Sequence, residues 1–101
     1  MFEKEFEGKV VLVTGGSTGI GYATVKSFLA TGAKVYFLGK PGEDLTQQTE
    51  ELKAINPDYD FASNTIDLCD YKAAQALYAE IEEKWGRLDV LVNNAGTDSS
   101  V

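Results

Sequence analysis

The run Thr14-Gly15-Gly16-Ser17-Thr18-Gly19-Ile20-Gly21 directly follows the apolar stretch Val10-Val11-Leu12-Val13 and opens a segment whose apolar positions recur at helical spacing. The order is strand, glycine-rich turn, helix. No other feature constrains the fold as much, because this one aims unpaired backbone N–H groups and the positive end of a helix dipole at the carboxyl end of a strand. That is the arrangement that receives a dinucleotide pyrophosphate. The glycines divide the work: one permits a tight turn at positive φ, one lets backbone approach a phosphate, and one lets helix and strand pack closely. Such a turn also serves plain helix N-termini, so the rest of the chain decides its meaning.

Strand and helix signals alternate from there on, with strands near 9–14, 34–38, 60–66 and 89–93 and helices near 20–31, 43–55 and 71–85. Alternation means parallel strands joined by helical crossovers, and right-handed crossovers give strand order 3-2-1-4. The expected fold is α/β: a Rossmann-like, doubly wound parallel sheet, partial, with three helices. The first helix is expected to bury Ile20, Ala23, Thr24, Ser27 and Phe28 and to stop at Gly32. The second lines up Leu45, Gln48, Leu52 and Ile55 and ends before Asn56-Pro57. The third is capped by Asp70, lines up Ala74, Leu77, Tyr78, Ile81 and Trp85, and stops at Gly86. The sheet's switch point falls between strands one and four, so ligand is expected between the Gly15–Gly21 turn and residues Asn93 to Gly96.

At 101 residues, with 44% apolar and 25% charged residues, the chain has the size and composition of one globular domain. Its formal net charge of -7 argues against nucleic acid or an anionic membrane as partner. The charged start, Met1 to Glu7, has no signal-peptide apolar core, and no apolar run is long enough to span a membrane; a cytoplasmic protein is the expectation. With no histidine, a zinc site of the usual kind is excluded, and the single cysteine, Cys69, reads as a small packing residue.

Two further motifs complete a pattern. Asp67-Leu68 ends the third strand, and Arg87-Leu88-Asp89-Val90-Leu91-Val92-Asn93-Asn94-Ala95-Gly96 is a strand running into a polar turn. In this order, a Thr-Gly-x-x-x-Gly-x-Gly turn, an Asp-hydrophobic pair and Asn-Asn-Ala-Gly resemble the short-chain dehydrogenase/reductase family. The resemblance covers nearly the whole chain and implies a nicotinamide dinucleotide as cofactor and a small carbonyl or alcohol as substrate. Its implied cofactor contacts are Gly15, Ser17, Thr18, Gly19, Ile20, Gly21, Lys40, Asp67, Leu68, Asn94, Ala95 and Gly96. Asp67 would hold the adenine amino group, Leu68 would pack the ring, and Asn94 would support the adenosine ribose; an Asp at a strand's end can equally cap the following turn.

After the second strand, folds that prefer NAD usually place an acidic residue for the ribose hydroxyls. Here the residues are Gly39 and Lys40. Lys40 can pair with a 2′-phosphate, so NADP(H) is the preferred cofactor and NAD(H) the possible one, although Glu43 and Asp44 oppose a phosphate and Thr18 stands where NADP(H)-using relatives often carry a second base.

The family's catalytic Ser and Tyr-x-x-x-Lys lie beyond the Asn-Asn-Ala-Gly turn, which only Thr97 to Val101 follow here. Two Tyr-x-x-x-Lys strings do occur: Tyr22 with Lys26, expected on the outward side of the first helix, and Tyr36 with Lys40, spread along a strand over roughly 13 Å. Neither is assigned a catalytic role. The chain therefore resembles the N-terminal, cofactor-binding half of a longer oxidoreductase and is expected to be inactive alone; the alternative is a non-catalytic nucleotide-binding or interaction module. Val90-Leu91-Val92 has the composition of a strand buried on both faces yet falls at the sheet edge, so self-association is expected.

Overall fold

A computed structural model describes residues 5–94. The elements run β1 (Val10–Thr14), α1 (Gly19–Ala30), β2 (Lys34–Gly39), α2 (Thr46–Ile55), β3 (Phe61–Thr65), α3 (Tyr71–Trp85) and β4 (Val90–Asn93). The four strands form one parallel sheet in the order β3-β2-β1-β4, with Val11 opposite Val35 on one side and Val90 on the other. This is the expected topology.

Every residue of β1 is buried, and the pleat sends alternate side chains to opposite faces. Val11 and Val13, with Val35 and Phe37 of β2, pack under Val25 and Leu29 of α1 and Leu52 of α2. Val10 and Leu12, with Tyr36 and Leu38, pack on Leu77 and Ile81 of α3. A strand covered on both faces must be apolar at every position, which is why β1 shows no alternation. Each such side chain contributes about 1.5–3 kcal/mol on leaving water.

The first helix presents a different face from the expected one. Its buried stripe is Gly21, Val25 and Leu29, while Ile20 is 78% exposed and Ala23 and Ser27 face solvent. Thr24 is half-buried and gives its hydroxyl to the Ile20 carbonyl at 2.8 Å. Phe28 is half-buried and meets the Phe6 ring edge-on at 5.1 Å. Close approach of Gly21 to the turn sets the helix's rotation, and the apolar side chains follow from that. Tyr22 is accordingly not outward: it is half-buried, and its hydroxyl donates to the Glu51 carboxylate on α2.

The second helix begins at Thr46, later than expected, because residues 40–43 form a turn and Asp44 accepts from the Thr46 N–H at 3.0 Å and hydroxyl at 2.7 Å. Leu52 is buried, Leu45 and Gln48 are half-buried, and Ile55 is exposed. The third helix starts as expected, with the Asp70 carboxylate accepting from the N–H groups of Lys72 and Ala73, and ends at Gly86 with φ 80°. Leu77 and Ile81 are buried, Trp85 meets Tyr36 edge-on at 6.4 Å, and Tyr78 is exposed rather than part of the stripe. In β4 Val90 and Val92 are half-buried whereas Leu91 is 51% exposed, so among the described residues only one face of this edge strand is covered. No helix among them is long and apolar enough to cross a membrane.

Burial and the hydrogen bond from its hydroxyl to Glu80 Oε1 at 2.9 Å push the Tyr36 pKa up to about 12. The unfolded chain releases this proton near pH 10, so the native state binds more protons between pH 10 and 12. Stability carried by Tyr36 is complete below pH 10 and is lost as pH rises to 12. Denaturant titrations across that window are expected to show a shallower alkaline loss for Tyr36→Phe than for wild type; equal slopes would refute the assignment.

Candidate functional site

The carboxyl ends of β1, β2 and β4 open into one cavity of about 780 Å³. Its floor is the turn between β1 and α1, where Gly15 and Gly19 adopt φ of 62° and 58°, backbone that L side chains rarely take up. Gly16 donates its N–H to the Leu38 carbonyl at 2.8 Å, tying the turn to β2. A Cβ on Gly21 would stand 1.8 Å from the Gly15 carbonyl oxygen and 2.7 Å from Asn94 Nδ2. Gly21 is buried beneath the turn and does not line the cavity, so it serves the site through packing.

The N-terminus of α1 points into this space. Its Thr18 cap makes no side-chain hydrogen bond to the first turn, and that turn carries no acidic residue. Backbone N–H groups and the positive end of the dipole are thus left for an anion, an interaction of about 0.3–1 kcal/mol where exposed. Thr18, Gly19 and Ile20 line the wall here. Ile20, exposed to solvent, adds an apolar side chain to that wall.

Opposite, Thr14 fastens the end of β4. Its hydroxyl donates to Asn93 Oδ1 at 3.0 Å and accepts from the Asn94 N–H at 2.8 Å, and Asn94 Nδ2 donates to the Gly15 carbonyl at 3.4 Å. The second Asn of the pair is therefore placed between the end of β4 and the glycine turn. Ala95 and Gly96, also expected here, lie outside the described residues.

At the far end, Ile66, Asp67 and Leu68 line the wall after β3. Asp67 closes a turn: its Oδ1 accepts from the Cys69 N–H at 2.9 Å, and its carbonyl accepts from the Asp70 N–H. The turn-capping alternative is realised, and it leaves the Asp67 residue on the cavity wall. Cys69 is exposed on the same wall rather than packed inside. Among the described residues no cluster of His, Cys, Asp and Glu could hold a metal ion.

Between these ends sits Lys40, exposed, with Glu43 below it. Glu43 accepts from the Ser17 hydroxyl at 2.9 and 3.1 Å and from the Lys40 N–H at 2.6 Å. Sequence reasoning weighed Glu43 only as a nearby charge. The signal for more was Pro41-Gly42, a turn that sends the chain back toward the strand end. Thr14 was missed as well, since a polar residue closing an apolar strand looks like a boundary. Of the two Tyr-x-x-x-Lys strings, Tyr22 bonds to α2 and Tyr36 to α3, and neither tyrosine lines the cavity.

Comparison with known proteins agrees with this geometry. The pattern of the family described as short chain dehydrogenase matches residues 9–101. A 3α-hydroxysteroid dehydrogenase of Mediterraneibacter gnavus is 39% identical over 94 residues, covering 93% of this chain and 38% of that protein. Among solved structures, a short chain dehydrogenase from Mycobacterium smegmatis superposes with a TM-score of 0.78 at 38% identity, over 92% of this chain and 39% of the other. L-sorbose reductase from Gluconobacter frateurii, solved with NADPH and L-sorbose, gives a TM-score of 0.82 at 28% identity, over 94% of this chain and 36% of the other. The chain thus spans less than two fifths of the length of each of these relatives. Its glycine turn, its strand order and the reach of the sequence match together make this chain a member of the short-chain dehydrogenase/reductase family.

Proposed function

We propose that the chain forms the adenosine and pyrophosphate subsites for a nicotinamide dinucleotide, in a cytoplasmic oxidoreductase that interconverts a carbonyl and a hydroxyl group. The observation that carries this reading is the uncapped N-terminus of α1, opening with the glycine turn into a cavity at the sheet's switch point. The residues fit the group. Gly19 and Ile20 would offer N–H groups to the pyrophosphate, Ile66 and Leu68 an apolar wall to adenine with Asp67 as acceptor for its amino group, and Asn94 support at the ribose side. When bound, the dinucleotide supplies hydride transfer at its nicotinamide ring. Lys40 favours NADP(H) at the ribose end and Glu43 opposes it.

The family resemblance implies that a Ser and a Tyr-x-x-x-Lys pair placed after the Asn-Asn-Ala-Gly turn would handle the proton, and we propose that this chain holds none of them. Calorimetric titration with NAD+ and NADP+ is expected to show binding of at least one, while reduced cofactor mixed with a panel of carbonyl compounds shows no oxidation above the buffer rate. Absence of binding by either, in this chain and in any longer protein containing it, would refute the cofactor reading. Turnover that vanishes in Tyr22→Phe would refute the dismissal of that string. The open edge of β4, with Leu91 exposed beside it, supports the expected self-association. Salt that screens the net charge of -7 is expected to raise the mass seen by light scattering, and a constant monomer mass would refute it.

A further inference from the structure

The second strand ends at Gly39, the position at which a fold selecting the unphosphorylated ribose usually carries an acidic side chain. Gly39 has no side chain, yet its place is filled. The turn after it is closed by the Glu43 N–H on the Lys40 carbonyl at 3.0 Å and reversed at Gly42, where φ is 90°. That reversal brings Glu43 back onto the strand end. Its Oε1 stands 2.6 Å from the point that a Cβ on Gly39 would occupy, a distance comparable to that between an aspartate's own Cβ and its carboxylate oxygens.

The carboxylate is held in place by two donors, one of them shared between its oxygens. The Lys40 backbone N–H reaches Oε1 at 2.6 Å, and the Ser17 hydroxyl lies 2.9 and 3.1 Å from the two oxygens. Ser17 is itself buried, and its carbonyl accepts from Gln48 Nε2 at 2.9 Å, so α2 braces the pair from behind. The Lys40 ammonium is exposed and forms no ion pair with Glu43. Among the described residues no cation pairs with Glu43, and its carboxylate lines the cavity.

We propose, resting on the dinucleotide reading of this cavity, that Glu43 is the residue that reads the adenosine ribose. From four positions beyond the strand end it does the work of the missing acidic side chain at position 39, accepting from the ribose hydroxyls and repelling a 2′-phosphate. The chain accordingly prefers NAD(H) to NADP(H), which replaces the preference that Lys40 suggests in the sequence. The two groups act unequally because the Glu43 carboxylate is fixed by partners on two elements, whereas Lys40 is a solvated side chain on a turn.

The test is calorimetric titration of NAD+ and NADP+ into wild type and Glu43→Gln. Wild type is expected to bind NAD+ about tenfold to a hundredfold more tightly, the range for a hydrogen bond to a charged group. Glu43→Gln is expected to remove most of that factor, weakening NAD+ and strengthening NADP+. The ratio of the two affinities within one sample does not depend on the fraction folded, so a destabilised variant still answers. Tighter binding of NADP+ by wild type, or an unchanged ratio in Glu43→Gln, would overturn the role of Glu43 and leave the cofactor reading standing. Binding of neither dinucleotide by wild type, in this chain and in any longer protein containing it, would overturn both.

Discussion

Gly21→Ala is expected to be among the most damaging single-methyl changes this chain can carry. The added carbon would lie 1.8 Å from the Gly15 carbonyl oxygen, 2.8 Å from the Gly15 carbonyl carbon and 2.7 Å from Asn94 Nδ2. A flexible side chain could swing aside, but here the obstacle is the backbone of the turn, so α1 must move as a body or the turn must open. Overpacking of a tight core costs about 1–3 kcal/mol, and a clash with main chain belongs at or above the top of that range. For a domain of this size about 3 kcal/mol lowers the thermal midpoint by roughly 12–24 °C. Gly19→Ala makes a useful comparison. A Cβ there meets nothing within 4 Å, and only its φ of 58° resists, at about 1–2 kcal/mol. Urea denaturation of the two variants should rank them in that order; a Gly21→Ala variant as stable as Gly19→Ala would show that the helix does not depend on this contact.

The second large effect is expected at Thr14→Val. The substitution keeps the shape of a buried side chain and removes the hydroxyl that accepts from the Asn94 N–H and donates to Asn93 Oδ1. A part-buried polar group that loses its partner costs about 1–3 kcal/mol. The stability loss is the smaller part of the result. Asn94 is set against the glycine turn through this hydroxyl, so dinucleotide affinity is expected to fall at least tenfold even at temperatures where the variant is fully folded. Thr14→Ser keeps the hydroxyl and should keep most of the affinity. If Thr14→Val binds as wild type does, the link between β1 and the end of β4 is irrelevant to the cavity.

The strands were legible in the sequence because three of them carry apolar or β-branched runs bounded by turn residues, and their order followed from right-handed crossovers with the third helix returning over the other face of the sheet. The caps of α3 were legible too, since Asp70 and Gly86 act on their own backbone neighbours. The face of α1 was not. Counting apolar residues favoured Ile20, but a glycine whose value lies in having no side chain is invisible to such a count, and Gly21 decides the rotation. Tyr78 and Ile55 show the converse, apolar bodies at helical spacing that solvent still reaches. At the site, the glycine turn, Asp67-Leu68 and the Asn pair were found because each is a local motif. Glu43 and Thr14 act on partners brought close only by the fold, 26 residues away in one case and about 80 in the other. Pairings of that kind leave no periodic trace.

The measurement closest to the central claim is amide chemical-shift mapping of the labelled chain during separate titrations with NAD+ and NADP+. The cavity predicts saturable shifts at Gly15, Ser17, Thr18, Gly19 and Ile20 and at Asn94, with Leu68 following as adenine packs. Residues at the opposite end of the sheet, such as Gly8, Gly32 and Asp89, should stay where they are. Saturable shifts confined to that opposite end, or no shifts with either dinucleotide at millimolar concentration, would contradict the assignment of the cavity as the cofactor site.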